Sequence, residues 1–286
     1  MNINAGFALA ASLLGIVFAF LVGRQYLERR KPHQILWTVS MLMFAVASFT
    51  QFFAEMQGGW NLGLYRLYYL TAVSLVAVMG GGTVYLLRQS AVGHGFIGLT
   101  LLLSFAFFHG EITGLLPVGP AVYWPLMLVV SLGLPFLLYR LGLKMAGHTF
   151  LALVLMLEVA FVIQLWVQPL DTTLFAEVAK AAAGKGVAGD VVRHFAAVLN
   201  IAGAAALFLG AFYSWWITRH AYNLIIALGT AIFSAGGSLA ATGFPFLLHL
   251  SEMVGGAVLL YGFIKSQEVG SRAPVAPPYG ISSRSS

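Results

Sequence analysis

The chain has 286 residues, of which 60% are hydrophobic and only 8% are charged. Soluble globular domains carry about 25% charged residues, so this composition excludes a soluble fold and requires that most of the surface face lipid. The absence of cysteine excludes disulfides, thiol catalysis and Cys-ligated metal clusters. The formal net charge of +6 comes mainly from short loops between apolar runs, which indicates membrane topology rather than nucleic-acid binding.

Nine apolar segments are long enough to cross a bilayer, since a helical span needs about 20 mostly apolar residues. We therefore predict an all-α, polytopic membrane helix bundle that forms one domain over residues 1–266. The predicted spans are 5–23, 35–55, 65–87, 95–113, 121–139, 149–168, 193–216, 222–243 and 246–264. The fourth span is weakened by two glycines and a glutamate, and only GFPF separates the last two spans, so eight spans is the alternative.

The first span predicts the orientation of the chain. It has the apolar core of a signal peptide but lacks a basic region before that core, and its positive charges follow the core, so we expect a retained span with the N-terminus outside. With this orientation, 11 of the 15 lysines and arginines lie on the inner side and 4 on the outer side. The positive-inside rule then predicts a cytoplasmic C-terminus, in a bacterial or archaeal cytoplasmic membrane.

Two segments lie outside the predicted spans. The segment between the sixth and seventh spans opens with Asp171 and Thr172, which are suitable helix caps, and continues with helix-forming residues. We predict a short helix on the outer surface over about 171–183. The C-terminal segment 267–286 is rich in Pro, Gly and Ser, a composition typical of a disordered tail.

Ionisable side chains inside the spans are the strongest functional signal. A charge at mid-membrane costs about 2.5–3.5 kcal/mol on insertion scales, so such side chains normally face the protein interior and have partners. Glu158 must therefore be protonated or find a partner on another helix, and His249 and Glu252, three residues apart, share a helix face. These three are the candidate groups for ion or proton coupling. Glu55 and Arg66, at neighbouring span ends, are expected to form an interfacial ion pair.

Histidines near the outer span ends favour a second type of site. His109, His194 and His249 lie at a similar predicted depth, together with Glu111 and Glu252. Such a set would bind a divalent metal or relay protons. The spacing matches no known metal motif, and the competing interpretation is that each histidine anchors the interface or binds a backbone carbonyl.

No cofactor is predicted, and haem or a divalent metal is the alternative. Haem in a membrane bundle is commonly held between two histidines. His94 and His109 lie at opposite ends of one predicted span, and His194 and His249 are among the residues available as a second axial ligand.

Glycines in mid-span have two interpretations. They allow helices to pack closely, because association in lipid depends on close contacts, or they allow a helix lining a transport pathway to bend. We favour packing. The residues are Gly80, Gly81, Gly82, Gly236, Gly237, Gly255 and Gly256.

The sequence favours transport over catalysis, because it carries no Gly-x-Ser-x-Gly, P-loop or HExxH motif. The leading hypothesis is a small multi-pass transporter or permeation protein with intramembrane glutamates as proton-coupling groups. The alternatives are a non-transporting sensor or accessory subunit, and a membrane haem or metal redox protein. Expected partners are lipid and either further copies of the chain or other subunits of a membrane complex, but no nucleic acid.

Overall fold

The computed structural model describes residues 3–116, 118–182, 184, 186–241 and 246–272. Within these ranges it consists of helices without strands, which confirms the predicted all-α class. The helices are α1 (Ile3–Arg29), α2 (Pro32–Gln57), α3 (Leu62–Leu86), α4 (Ala91–Phe107), α5 (His109–Leu115), α6 (Pro120–Arg140), α7 (Ala146–Val167), α8 (Val178–Ala182), α9 (Asp190–Thr218), α10 (Ala221–Ala241) and α11 (Phe246–Arg272).

The described helices confirm a polytopic membrane bundle but not the count of nine spans. Seven of them, α1, α2, α3, α6, α7, α9 and α11, are long and apolar enough to span, and α4 with α5 forms a bent pair that makes an eighth. In α10 the described apolar stretch Ala221–Gly236 is shorter than a span. The helix α11 continues beyond the predicted span end at 264, so residues 267–272 are helical, and 273–286 lie outside the described residues.

The fourth predicted span is broken rather than continuous. α4 and α5 meet at Phe108 with a bend of 70°. The break frees the carbonyl of Phe105, which accepts a hydrogen bond from the hydroxyl of Tyr123 in α6 at 2.7 Å. The polar and glycine-rich residues after the break have weaker helix preference, so the segment 95–113 turns at Phe108.

Helix α3 is the centre of the bundle. It packs against α2, α7 and α9 and is the most buried of the spanning helices. One apolar cluster lies on its side toward α1, α2 and α11, and another on its side toward α7, α8 and α9. We call the end of the bundle that holds Gln57 and Phe246 the outer end, and the opposite end the inner end, following the predicted orientation.

Glycine pairs bring helix backbones into direct contact. A Cβ built on Gly80 would lie 2.8 Å from the Cα of Gly203, so α3 and α9 touch at this point. Gly82 likewise leaves room for the indole of Trp37, whose N–H donates to the carbonyl of Met79 at 3.1 Å. Such contacts hold helices together in lipid, where apolar burial alone gives no advantage.

The other predicted glycines are also in unbroken helices. Gly255 and Gly256 approach neighbouring residues of α10 and α1, and Gly236 approaches Ser251 of α11. Gly81 has only ordinary contacts, and the surroundings of Gly237 lie outside the described residues. Because α3, α10 and α11 are continuous through these positions, their local geometry is that of packing.

The α3–α9 contact predicts an asymmetric response to added methyl groups. Gly203→Ala would push a Cβ into the backbone of Val76 and Ala77 in α3, and we expect a loss of about 1–3 kcal/mol in the free energy of unfolding. Gly133→Ala is the control, because nothing lies within 4 Å of a Cβ at Gly133, and it should be neutral or gain up to about 1 kcal/mol. Denaturation in detergent micelles measures both. Equal stabilities would contradict the close backbone contact.

Candidate functional site

A buried face of α2 carries polar side chains near its outer end. Ser48, Gln51 and Glu55 follow Phe44 at helical spacing, which places all four on one side of the helix. Ser48 and Gln51 are fully buried, and the Glu55 side chain is 9% exposed. Gly58 then ends α2 in the left-handed conformation (φ 78°), which glycine adopts readily. The sequence thereby fixes Glu55 in the last turn of α2.

The first two turns of α11 supply the partners of this face. His249 is 0% exposed. Its Nδ1 lies 3.1 Å from Oε1 of Gln51, and its Nε2 lies 3.2 Å from Oε1 of Glu55. The amide Nε2 of Gln51 donates to Oε1 of Glu252 at 3.1 Å. We call Gln51, Glu55, His249 and Glu252 the His249 network.

The Gln51 amide determines where protons lie in the His249 network. Its NH₂ group donates to Glu252, so its carbonyl oxygen faces His249 and accepts. The Nδ1 of His249 must therefore carry a proton. The bond between Nε2 and Glu55 then needs a second proton, which resides on either the imidazole or the carboxyl. With this orientation of the amide, one proton lies between Nε2 of His249 and Oε1 of Glu55.

The outer end of the His249 network is covered by the segment between α7 and α9. Its short helix, α8, packs against α2, α3, α10 and α11. Three aromatic side chains donate hydrogen bonds to carbonyls of α8. They are Trp60 to Val178 (2.9 Å), Tyr65 to Ala181 (3.1 Å) and Tyr68 to Ala182 (3.2 Å). In the part of the chain that the structure describes, α8 therefore lies at the outer side of the network.

The covering segment differs from the surface helix predicted over about 171–183. The helix extends only over Val178–Ala182, and four of its five residues are buried. Asp171 accepts a hydrogen bond from the backbone N–H of Thr173 at 2.9 Å, which lowers the pKa of its carboxyl. This bond stabilises a turn where the sequence suggested a helix cap.

Glu158 lies apart from the His249 network. It is 8% exposed, and its Oε2 accepts a hydrogen bond from the hydroxyl of Ser74 in α3 at 2.6 Å. Its Oε1 has no hydrogen-bond partner among the described residues. Ser74 and Tyr68, which lies beside the network, are six positions apart on α3, a spacing that puts them on different faces. Glu158 and Glu252 therefore lie on different sides of α3 rather than in one shared space.

The other two predicted metal ligands also lie outside the His249 network. His109 packs against aromatic rings of α6 at 4.5 and 5.1 Å, and Nδ1 of His194 lies 3.3 Å from Oε1 of Glu111. Both ring nitrogens of His94, the proposed haem ligand, face backbone carbonyls at 3.0 and 3.1 Å. Across the described part of the chain, no group of three His, Asp or Glu residues is arranged to hold a metal ion. Metal and haem binding stay predictions.

Sequence reasoning missed half of the His249 network. The expected Glu55–Arg66 ion pair is replaced by the contact of Glu55 with His249, and Arg66 donates to the carbonyl of Trp166 at 3.3 Å. Gln51 was not singled out, although a polar side chain four residues before Glu55 on an apolar helix was a usable signal.

The inner half of the bundle holds two adjoining cavities. The larger, about 60 Å³, lies between α1, α2, α3, α9, α10 and α11, and Trp37 and Asn223 are among its lining residues. The smaller, about 20 Å³, lies nearer the outer end and shares Met79, Leu207 and Leu259 with the first. A cavity of about 10–15 Å³ is enough for one water molecule, so both have room for small occupants.

Comparison of the chain with protein-family models, with curated proteins and with solved structures found no match. Function is therefore inferred from the geometry of the His249 network, of Glu158 and of the inner cavities.

The Glu158–Ser74 hydrogen bond predicts a non-additive pair of substitutions. Ser74→Ala leaves the buried Glu158 carboxyl without its donor and should cost about 1–3 kcal/mol in the free energy of unfolding. Ser74→Ala combined with Glu158→Leu removes both partners and should recover most of this loss. Denaturation in detergent of the natural protein, Ser74→Ala, Glu158→Leu and the double variant gives the coupling energy, and additive effects would show that the bond contributes nothing.

Proposed function

We propose that this protein is a small multi-pass membrane transporter or permeation protein in which the His249 network binds and releases protons. The observation that carries the proposal is a pair of carboxylates joined by one imidazole and one amide, buried between two spanning helices. The proposed location is the cytoplasmic membrane of a bacterium or archaeon, which the distribution of basic residues supports.

The energetic cost of the network supports a functional role. An ionisable side chain buried away from water is costly unless it is paired and hydrogen-bonded. Replacing a buried ion pair by well-packed apolar residues is often neutral or stabilising, so packing alone does not require these groups. An imidazole exchanges protons readily near neutral pH, and a carboxylate bonded to it provides a second position for the same proton.

The interactions of Tyr68 link proton binding at Glu252 to the covering segment that contains α8. The groups that face the imidazole and Glu252 are Gln51 and Glu55 from α2 and Tyr68 from α3. The Tyr68 hydroxyl interacts electrostatically with Glu252 and donates to the carbonyl of Ala182 in α8. A change in the charge of Glu252 therefore acts on a side chain that holds the cover, as alternating access requires. Glu158 is a second, separate protonatable group in this proposal.

A non-transporting accessory subunit is the second candidate function. The observation that favours it is the position of α6, which packs on α4 and is the least buried of the spanning helices. Its wide apolar face is available for lipid or for another subunit. A third candidate, a haem or metal redox protein, would replace the transport proposal if the purified protein showed a Soret band or stoichiometric metal.

Proton coupling is tested with purified protein in liposomes on a solid-supported membrane. Concentration jumps of a panel of amino acids, sugars, nucleosides, organic cations and short-chain acids should give a solute-dependent current that varies with pH. Glu252→Gln and His249→Gln should abolish the pH dependence, since both remove a proton-binding position. Glu268→Gln, which changes an exposed carboxylate near the inner end of α11, is the control and should retain it.

Normal pH-dependent flux in both Glu252→Gln and Glu158→Gln would contradict proton coupling through these acids. Absence of current with every solute, combined with stable copurification of another membrane subunit, would favour the accessory-subunit function instead.

A further inference from the structure

Two buried oxygen atoms next to the His249 network have no hydrogen-bond partner among the described residues. One is Oγ of Ser48, whose side chain is 1% exposed, and the other is Oε2 of Glu252. Buried polar atoms in native proteins are nearly always hydrogen-bonded to protein or to ordered water. Serine in a helix commonly bonds the carbonyl four residues earlier, and the Ser48 hydroxyl does not do so here.

The register of α2 and α11 places Ser48 opposite the stretch of α11 that begins at Glu252. Toward the inner end, a Cβ built on Gly256 would lie 3.4 Å from Cε1 of Phe44. Toward the outer end, Gln51 bonds Glu252. Ser48 lies between Phe44 and Gln51 on the same face of α2, so it faces the interval of α11 between Glu252 and Gly256.

We propose that a water molecule, supplied from the inner cavities, binds between Oγ of Ser48 and Oε2 of Glu252 and connects the His249 network to the inner side. A water molecule can donate to the carboxylate while it accepts from the serine hydroxyl, and buried waters typically make about three hydrogen bonds. The water site identifies the side from which protons reach Glu252. Its role in proton supply rests on the proposed function.

One aromatic pair lies between the smaller cavity and this site. Phe233 lines the smaller cavity, and its ring packs against Phe44 edge to face, with 5.2 Å between centroids and an interplanar angle of 64°. Phe44 is in turn four residues before Ser48 on α2. Rotation of either ring would open a route from the cavity to Ser48, whereas the outer route is covered by α8.

Proton transfer to Glu252 needs no reactant besides a hydronium ion. A hydronium ion that arrives from the cavity gives one proton to the Oε2 carboxylate oxygen of Glu252, forming a neutral carboxyl group and leaving a water molecule bound to Ser48. This bound water keeps the hydrogen bonds that the two protein oxygens otherwise lack.

Cysteine accessibility tests the route directly, because the natural chain has no cysteine. Ser48→Cys is introduced into the full-length protein in vesicles of known orientation, and the thiol-reactive ion Ag⁺, which is small enough for a route that admits water, is applied to one side at a time. Thiols react as thiolates in contact with water. We expect labelling from the inner side only, accelerated at least about tenfold by Phe233→Ala because the thiol then has freer access to water.

The control is Thr50→Cys, at an equally buried position two residues further along α2, which should stay unlabelled from both sides. If Phe233→Ala does not fold, Phe233→Leu serves the same purpose with a smaller opening. Replacing sodium by choline should leave the labelling rate unchanged, and protection by sodium would overturn the assignment of water in favour of a bound sodium ion.

Labelling of Ser48→Cys from the outer side alone, or no labelling even with either Phe233 variant, would overturn the proposal. This outcome is distinct from failure of the proposed function, since labelling requires no transported solute. Intact pH-dependent currents without inner-side labelling would leave proton coupling standing and remove the inner water route.

Discussion

In the outer half of the bundle, one side-chain amide connects two spanning helices. Gln51 donates from its nitrogen to Glu252 and accepts at its oxygen from His249. An amide has one acceptor end and one donor end, so this arrangement fixes the tautomer of the imidazole and directs its other nitrogen to Glu55. The positions of the protons in the site follow from this single side chain, and so does the connection between the two carboxylates.

The rest of the bundle positions this amide and isolates it. α3 separates the network from Glu158, and close glycine contacts hold α3 against α9. The aromatic residues at the start of α3 hold α8 over the outer end through hydrogen bonds to its carbonyls. The result is an ionisable site with a hydrogen-bonded segment at its outer end, and with the Phe44–Phe233 ring pair between it and the smaller inner cavity.

Much of the fold follows from hydropathy, because lipid permits few alternatives to helices whose backbone bonds are satisfied internally. The break at Phe108 follows only in part, since the glycines and glutamate after it weaken the helix, whereas the Tyr123 hydroxyl that bonds α4 there comes from another helix. The predicted pairing of His249 with Glu252 on one face was a local property of the helix. Their partners on α2 are about 200 residues away in sequence, and a single sequence contains no signal for such a contact.

The central claim is that Nδ1 of His249 carries a proton directed at Gln51. Solid-state ¹⁵N NMR of protein with labelled histidines in lipid tests it, with the signal among the seven histidines assigned by its loss in His249→Gln. The account predicts a proton-bearing Nδ1 in the folded protein. An unprotonated Nδ1 beside a protonated Nε2 would contradict the orientation of the Gln51 amide and with it the proposed proton site.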